Sequence, residues 1–148
     1  MNPEQLYPSP ILNVLLADDD IDDCAFFEKA INEINIPTRL TIVRDGEELM
    51  SYLLKHEENL PDVLFLDLSM PRKTGFECLT EIKENDKLKE LPVTIFTTSF
   101  GRGIDFEQSL INTLSNIGAY QYIRKPGDFN QLKEIIHNVL LSVQKKIV

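Results

Sequence analysis

The chain has 148 residues, the size of one ordinary domain, and 43% of them are hydrophobic, enough for a single core. A net charge of −9 argues against nucleic-acid binding, which depends on neutralising phosphates, and no run approaches the roughly 18–20 apolar residues that cross a bilayer. Residues 1–10 lack the basic-then-apolar pattern of a secretion signal, and Cys24 and Cys78 have no metal-site spacing, so a cytoplasmic protein with two reduced thiols is expected.

Short apolar runs alternate with amphipathic stretches. Residues 11–17 form a continuous apolar run, as in a strand buried on both faces. In residues 21–34, Ala25, Phe26, Ala30, Ile31 and Ile34 recur at helical spacing. Residues 39–43 read as a second strand, and Asp45-Gly46 turns the chain into a helix carrying Leu49, Met50, Leu53 and Leu54 on one face. Pro61 introduces a third strand at residues 62–66. A helix at 75–84 (Phe76, Leu79, Ile82) and a strand at 93–96 follow. Residues 105–117 carry Phe106, Leu110, Leu114 and Ile117 at helical spacing, and Gly118 stops them. Residues 120–124 form the fifth strand, and Asp128 can cap a last helix running to about residue 145.

Five strand–helix units in strict alternation predict an α/β domain over residues 11–148, a five-stranded parallel sheet with helices on both faces. The flavodoxin-like strand order 2-1-3-4-5 is expected, because right-handed crossovers fit it. Residues 1–10, with three prolines, are expected to be a loose tail.

In open parallel sheets ligands bind beyond the carboxyl ends of the strands. Here strand one ends in Asp18-Asp19-Asp20, strand three in Asp67, strand four in Thr97-Thr98-Ser99, and strand five in Lys125-Pro126. If strands one and three are neighbours, at least three carboxylates converge, and like charges that close repel unless a cation joins them. Oxygen ligands in a small pocket favour Mg²⁺. A lysine and a hydroxyl opposite suit an anion, most simply a phosphoryl group.

The pattern resembles the receiver domains of bacterial two-component systems over roughly residues 11–141. It is carried by Leu-Leu-Ala-Asp18-Asp19-Asp20, by Leu-Phe-Leu-Asp67-Leu-Ser-Met-Pro71, and by Gly75, Thr97 and Lys125-Pro126. Each piece is common; the whole set in order, each at a strand end, is specific. Pro-Arg-Lys-Thr-Gly and Phe-Thr-Thr-Ser resemble the small single-domain receivers that pair with phytochromes.

The resemblance implies that Asp67 accepts a phosphoryl group from a kinase phosphohistidine. Asp19 is then a direct Mg²⁺ ligand, Asp18 acts nearby through water, and Ser69 contributes its backbone carbonyl. Thr97 bonds the phosphoryl oxygen and reports the event by moving, while Lys125 pairs with the phosphoryl charge. Tyr122 takes the place of the switch aromatic, and the Lys125–Pro126 bond is expected to be cis. By strand parity Tyr120 and Tyr122 are expected on one side. Asp20, Asp22 and Asp23 suit helix caps better than ligands. His56 and His137 lie on helices with no partner acid or metal spacing, and Met50 and Met70 read as core or loop packing.

The implied partners are a sensor histidine kinase or histidine phosphotransfer protein and a downstream protein target, with no nucleic acid or membrane. No output domain is expected after Lys146, so the signal is expected to pass by surface change at Tyr122, the helix from Asp105 and the last helix. The apolar Leu140, Leu141, Val143, Ile147 and Val148 are compatible with a homodimer contact.

Two departures stand out. Residues 100–103 lengthen the loop after Thr97, and Thr98 is larger than the family's usual residue there, which is expected to narrow the pocket. A haloacid-dehalogenase-type phosphatase needs a second acid where Ser69 stands, flavin binding wants hydroxyls where three acids stand, and a P-loop is absent. The alternative retained is a receiver-like interaction module that does not use phosphorylation. On either reading the chain is not a classical enzyme; a receiver catalyses only its own phosphorylation and dephosphorylation.

Overall fold

The computed structural model describes residues 10–98 and 103–147. Residues 1–9, 99–102 and 148, and the side chains of Lys146 and Ile147, lie outside the described residues. Strands β1 (Leu12–Ala17), β2 (Thr38–Val43), β3 (Val63–Leu66), β4 (Val93–Thr97) and β5 (Gln121–Arg124) alternate with helices α1 (Ile21–Asn32), α2 (Gly46–Lys55), α3 (Gly75–Glu84), α4 (Ile104–Ile117) and α5 (Phe129–Ile147). All strand pairs are parallel, in the order β2-β1-β3-β4-β5. The expected fold is the observed one. Boundaries differ from the sequence reading by at most two residues, and the helix at 75–84 coincides with it.

Two cores flank the sheet. One gathers Leu49, Met50 and Leu53 of α2, Cys78, Leu79 and Ile82 of α3, and Leu110 and Leu114 of α4 against Leu15, Leu64, Leu66 and Ile95. The other gathers Phe27, Ala30 and Ile31 of α1 and Leu132, Ile136, Val139 and Leu140 of α5 against Val14, Leu16, Phe65 and Phe96. Phe27, Phe65 and Phe96 meet edge to face, with centroids 4.9–6.0 Å apart. The central strands therefore bury both faces, which explains their unbroken apolar runs.

The helix starts follow capping chemistry. Asp20, Asp45 and Thr74 accept the backbone N–H of Asp23, Glu48 and Glu77, and Asp128 accepts that of Gln131. Thr74 and Glu77 complete a capping box.

Three expectations need correction. There is no cis peptide among the described residues, and Lys125–Pro126 is trans, the form X–Pro bonds ordinarily favour by about 0.5–1 kcal/mol. Tyr120 and Tyr122 lie against different cores, because Tyr120 precedes β5 and escapes its two-residue alternation. Of the surplus apolar residues on α5, Leu140 and Val143 are core and only Leu141 is exposed among those whose side chains are described.

Thr94 carries a buried hydroxyl with no hydrogen-bond partner among the described residues. Thr94→Val keeps the shape and removes the unpaired group, so it is expected to raise unfolding free energy by about 1 kcal/mol in urea titration. A loss of stability on that change would show that the hydroxyl is satisfied.

Candidate functional site

The site forms where the carboxyl ends of β1, β3, β4 and β5 meet. Ala17 is in register with Leu66 and Val43, so the next residues, Asp18 and Asp67, emerge side by side. Their backbones are fixed there: Asp18 N–H donates to the Val43 carbonyl at 3.1 Å, and Asp67 N–H donates to Ala17 at 3.0 Å. Lys125 N–H donates to the Thr97 carbonyl at 2.8 Å, which holds the ends of β4 and β5 together.

Asp18, Asp67 and Thr97 are buried, and Asp19 is exposed at the rim. Carboxylate oxygens of Asp18, Asp19 and Asp67 lie within 4.8 Å of one another. The Thr97 hydroxyl donates to Asp67 Oδ1 at 2.9 Å, and the Ser69 N–H reaches the same oxygen at 3.3 Å. The Lys125 ammonium, on a side chain only 8% exposed, lies 2.6 Å from Asp18 Oδ2, 2.8 Å from Asp23 Oδ2 and 3.5 Å from Asp67 Oδ2. The Phe96 ring lies below it, 5.8 Å from Nζ.

Burial pushes the Asp18 carboxyl up to about 6; hydrogen bonds from Lys125 and the Asp20 N–H pull against this, and the charge of Asp67 adds to it. Burial also opposes the charge on Lys125, but there Asp18, Asp23 and Asp67 win and hold the ammonium above an ordinary lysine. The pocket is short of positive charge for the acids it gathers. An all-oxygen donor set of three close carboxylates fits a hard divalent cation.

Gly75 makes this geometry possible. A Cβ there would lie 2.3 Å from the Asp67 carbonyl oxygen and 2.8 Å from Leu68 Cα. Its N–H donates to the Leu68 carbonyl at 3.1 Å, so α3 starts in contact with the Asp67 backbone.

Tyr122 is half-buried against the core that holds Leu110 and Leu114, and its hydroxyl donates to Glu107 Oε2 at 3.4 Å. Arg124 grips both oxygens of the same carboxylate, Nε at 2.9 Å. Burial, then the Glu107 charge, raises the Tyr122 phenol.

The structure thus brings together Asp18, Asp19, Asp67, Ser69, Thr97 and Lys125, all picked out in the sequence. Sequence reasoning missed Asp23 and Glu107. Asp23 lies three residues after the Asp20 cap and was expected only as a cap residue; Glu107 carried no signal. Cys24 and Cys78 are buried free thiols, raised by burial to about 11 and about 12. Met50 and Met70 are buried in the core. His56 ends α2, stacked on Tyr52, with Nδ1 at 2.7 Å from the Tyr52 carbonyl.

The family model for the response regulator receiver domain matches residues 14–137. The chain belongs to that family. Response regulator Rcp1 of Synechocystis is 37% identical over 90 residues, a match covering 58% of this chain and 61% of that protein. The crystal structure of the Mn²⁺-bound form of Rcp1 aligns with a TM-score of 0.72 at 27% identity, covering 86% of this chain and 91% of the other. The phosphorylated cyanobacterial phytochrome response regulator RcpA aligns with a TM-score of 0.74 at 30% identity, covering 88% and 91%. The receiver is thus similar to phytochrome response regulators, one of which has been seen with a divalent ion. Among the described residues no helix is long and apolar enough to cross a membrane.

A pH prediction follows for this receiver. With Asp18 raised from 3.8 to about 6, the native chain binds a proton in that window that the unfolded chain does not. Stability at this residue therefore increases as pH falls from 7 toward 5, by up to about 1 kcal/mol per pH unit, in EDTA. Saturating divalent cation holds Asp18 ionised and is expected to remove the gain. Urea midpoints at the two pH values, with and without the cation, decide it; identical pH profiles would contradict it.

Proposed function

We propose that this receiver accepts a phosphoryl group on Asp67 in a Mg²⁺-dependent reaction and signals through a change at its surface. The observation that carries the reading is the Asp67 carboxylate itself. It is buried, bonded by the Thr97 hydroxyl on one oxygen, faced by the Lys125 ammonium on the other, and flanked by two further acids. A structural aspartate at a strand end needs none of this.

The donor is a phosphohistidine of a sensor kinase or a phosphotransfer protein. A carboxylate oxygen of Asp67 forms the new O–P bond, the N–P bond breaks, and the imidazole leaves with the bonding pair. Asp19 and Asp67, with the Ser69 carbonyl and with Asp18 through water, would hold Mg²⁺. Bound Mg²⁺ supplies neutralising charge for the clustered acids and the transferred phosphoryl oxygens. Lys125 pairs with the same oxygens, and Thr97 exchanges its bond to Asp67 for one to the phosphoryl group.

Thr97 and Tyr122 then act as the switch: the hydroxyl leaves its resting place and the ring moves inward. The face of α4, β5 and α5 is read by a downstream protein or by a second copy of the chain. The setting is the cytoplasm.

Intact mass after incubation with Mg²⁺ and acetyl phosphate tests the reading. The wild type is expected to gain one phosphoryl group, to lose that ability in EDTA, and to gain none as Asp67→Asn. A wild type that stays unlabelled where a control receiver is labelled would move the conclusion to a phosphorylation-independent interaction module.

A further inference from the structure

We propose that Asp23 is a positioning residue that acts through Lys125, holding the ammonium in a resting position away from Asp67; the inference rests on Asp67 being the acceptor. Lys125 has three N–H donors. Two face Asp18 and Asp23 at 2.6 and 2.8 Å, and Asp67 is a distant third at 3.5 Å. The lysine that must serve the phosphoryl group is thus drawn toward α1 before that group arrives.

The two tethering acids are not equivalent. Asp18 is buried, and one of its oxygens also accepts the Asp20 N–H at 3.0 Å. The Asp23 side chain is 37% exposed, so water can replace the ammonium there at little cost. When Lys125 turns to a phosphoryl oxygen, Asp23 is the partner it releases. Its backbone has a separate job: the Asp23 N–H is held by the Asp20 cap at 2.9 Å, leaving the carboxylate free to face Lys125. Asp23 is a counter-ion that competes with the phosphoryl group, so it sets how readily the acceptor is loaded.

Asp23→Asn keeps the side-chain volume and the cap and removes only the charge. Asp22→Asn, on the neighbouring exposed position of the same helical turn, makes the same change in net charge away from Lys125. Two readouts separate positioning from bulk charge. The first is the ¹⁵N–¹H signal of the Lys125 ammonium in the unphosphorylated protein, identified by its loss in Lys125→Arg. Its exchange with water is expected to speed up in Asp23→Asn and to stay unchanged in Asp22→Asn.

The second is the second-order rate of labelling by acetyl phosphate with Mg²⁺, expected to rise about three- to tenfold in Asp23→Asn alone. Unchanged ammonium exchange and labelling in Asp23→Asn, slower labelling, or an equal rise in Asp22→Asn would each overturn the proposal. If the wild type takes no phosphoryl group, the acceptor reading fails separately, and the ammonium signal still reports whether Asp23 holds Lys125.

Discussion

Lys125→Met is expected to cost the cation-free chain about 3 kcal/mol of unfolding free energy, and millimolar Mg²⁺ is expected to restore much of it. Methionine fills nearly the same volume and offers a thioether to the Phe96 ring in place of the ammonium, so packing changes little. What disappears is the only positive charge within bonding reach of Asp18, Asp23 and Asp67 among the described residues. Removing one partner of a buried ion pair costs about 3–5 kcal/mol. The low end applies at neutral pH, because Asp18, already up to about 6, takes up a proton when the ammonium goes. The variant is also expected to bind Mg²⁺ more tightly than the wild type, since a competing cation has left the pocket. Urea unfolding with EDTA and with Mg²⁺ measures both effects. An equal loss under the two conditions would mean that the lysine matters for packing rather than for charge.

Gly75→Ala is the second large effect. A methyl group 2.3 Å from the Asp67 carbonyl oxygen has no flexible neighbour to displace, only backbone. The first turn of α3 must move away from β3, which is expected to cost about 1–3 kcal/mol. The functional loss is expected to be larger, because a displacement of about 1 Å at reacting atoms costs on the order of a hundredfold in rate. Labelling of Asp67 should therefore fall far more than stability does. Gly127→Ala is the control: nothing lies within 4 Å of a Cβ there, and stability is expected to stay within about 0.5 kcal/mol. A Gly75→Ala protein labelled at the wild-type rate would show that the contact with Asp67 is dispensable.

The fold was legible because its signals are local. Continuous apolar runs such as Leu12–Ala17 mark strands covered on both sides, and the spacing of Leu49, Met50 and Leu53 marks the buried face of α2. The candidate site was legible because parallel strands place their last residues on one rim, so Asp18, Asp67, Thr97 and Lys125 announce themselves by position alone. What was hidden depends on distances between residues far apart in the chain. Asp23 looks like any acid in a first helical turn, and its pairing with Lys125 spans 102 positions. The separation of Tyr120 from Tyr122 turned on where β5 begins, a matter of one residue that propensity does not resolve. Residues 100–103, read as a lengthened loop, fall mostly outside the described residues, and so does Ser99.

The contact between Lys125 and Asp18 joins positions 107 apart, near opposite ends of the chain. Synthesis runs from the N-terminus, so a nascent chain displays Asp18, Asp19 and Asp67 well before it has a lysine to set against them. Over that interval Asp67 and Asp18 lack the ammonium that faces them in the finished domain. If Asp67 is the acceptor, as proposed, competence to be labelled is expected only once β5 has been made. On the proposed reading, a ribosome-stalled fragment ending before residue 125 is expected to carry Asp67 and take no label from acetyl phosphate, so labelling would report that the sheet is complete through β5.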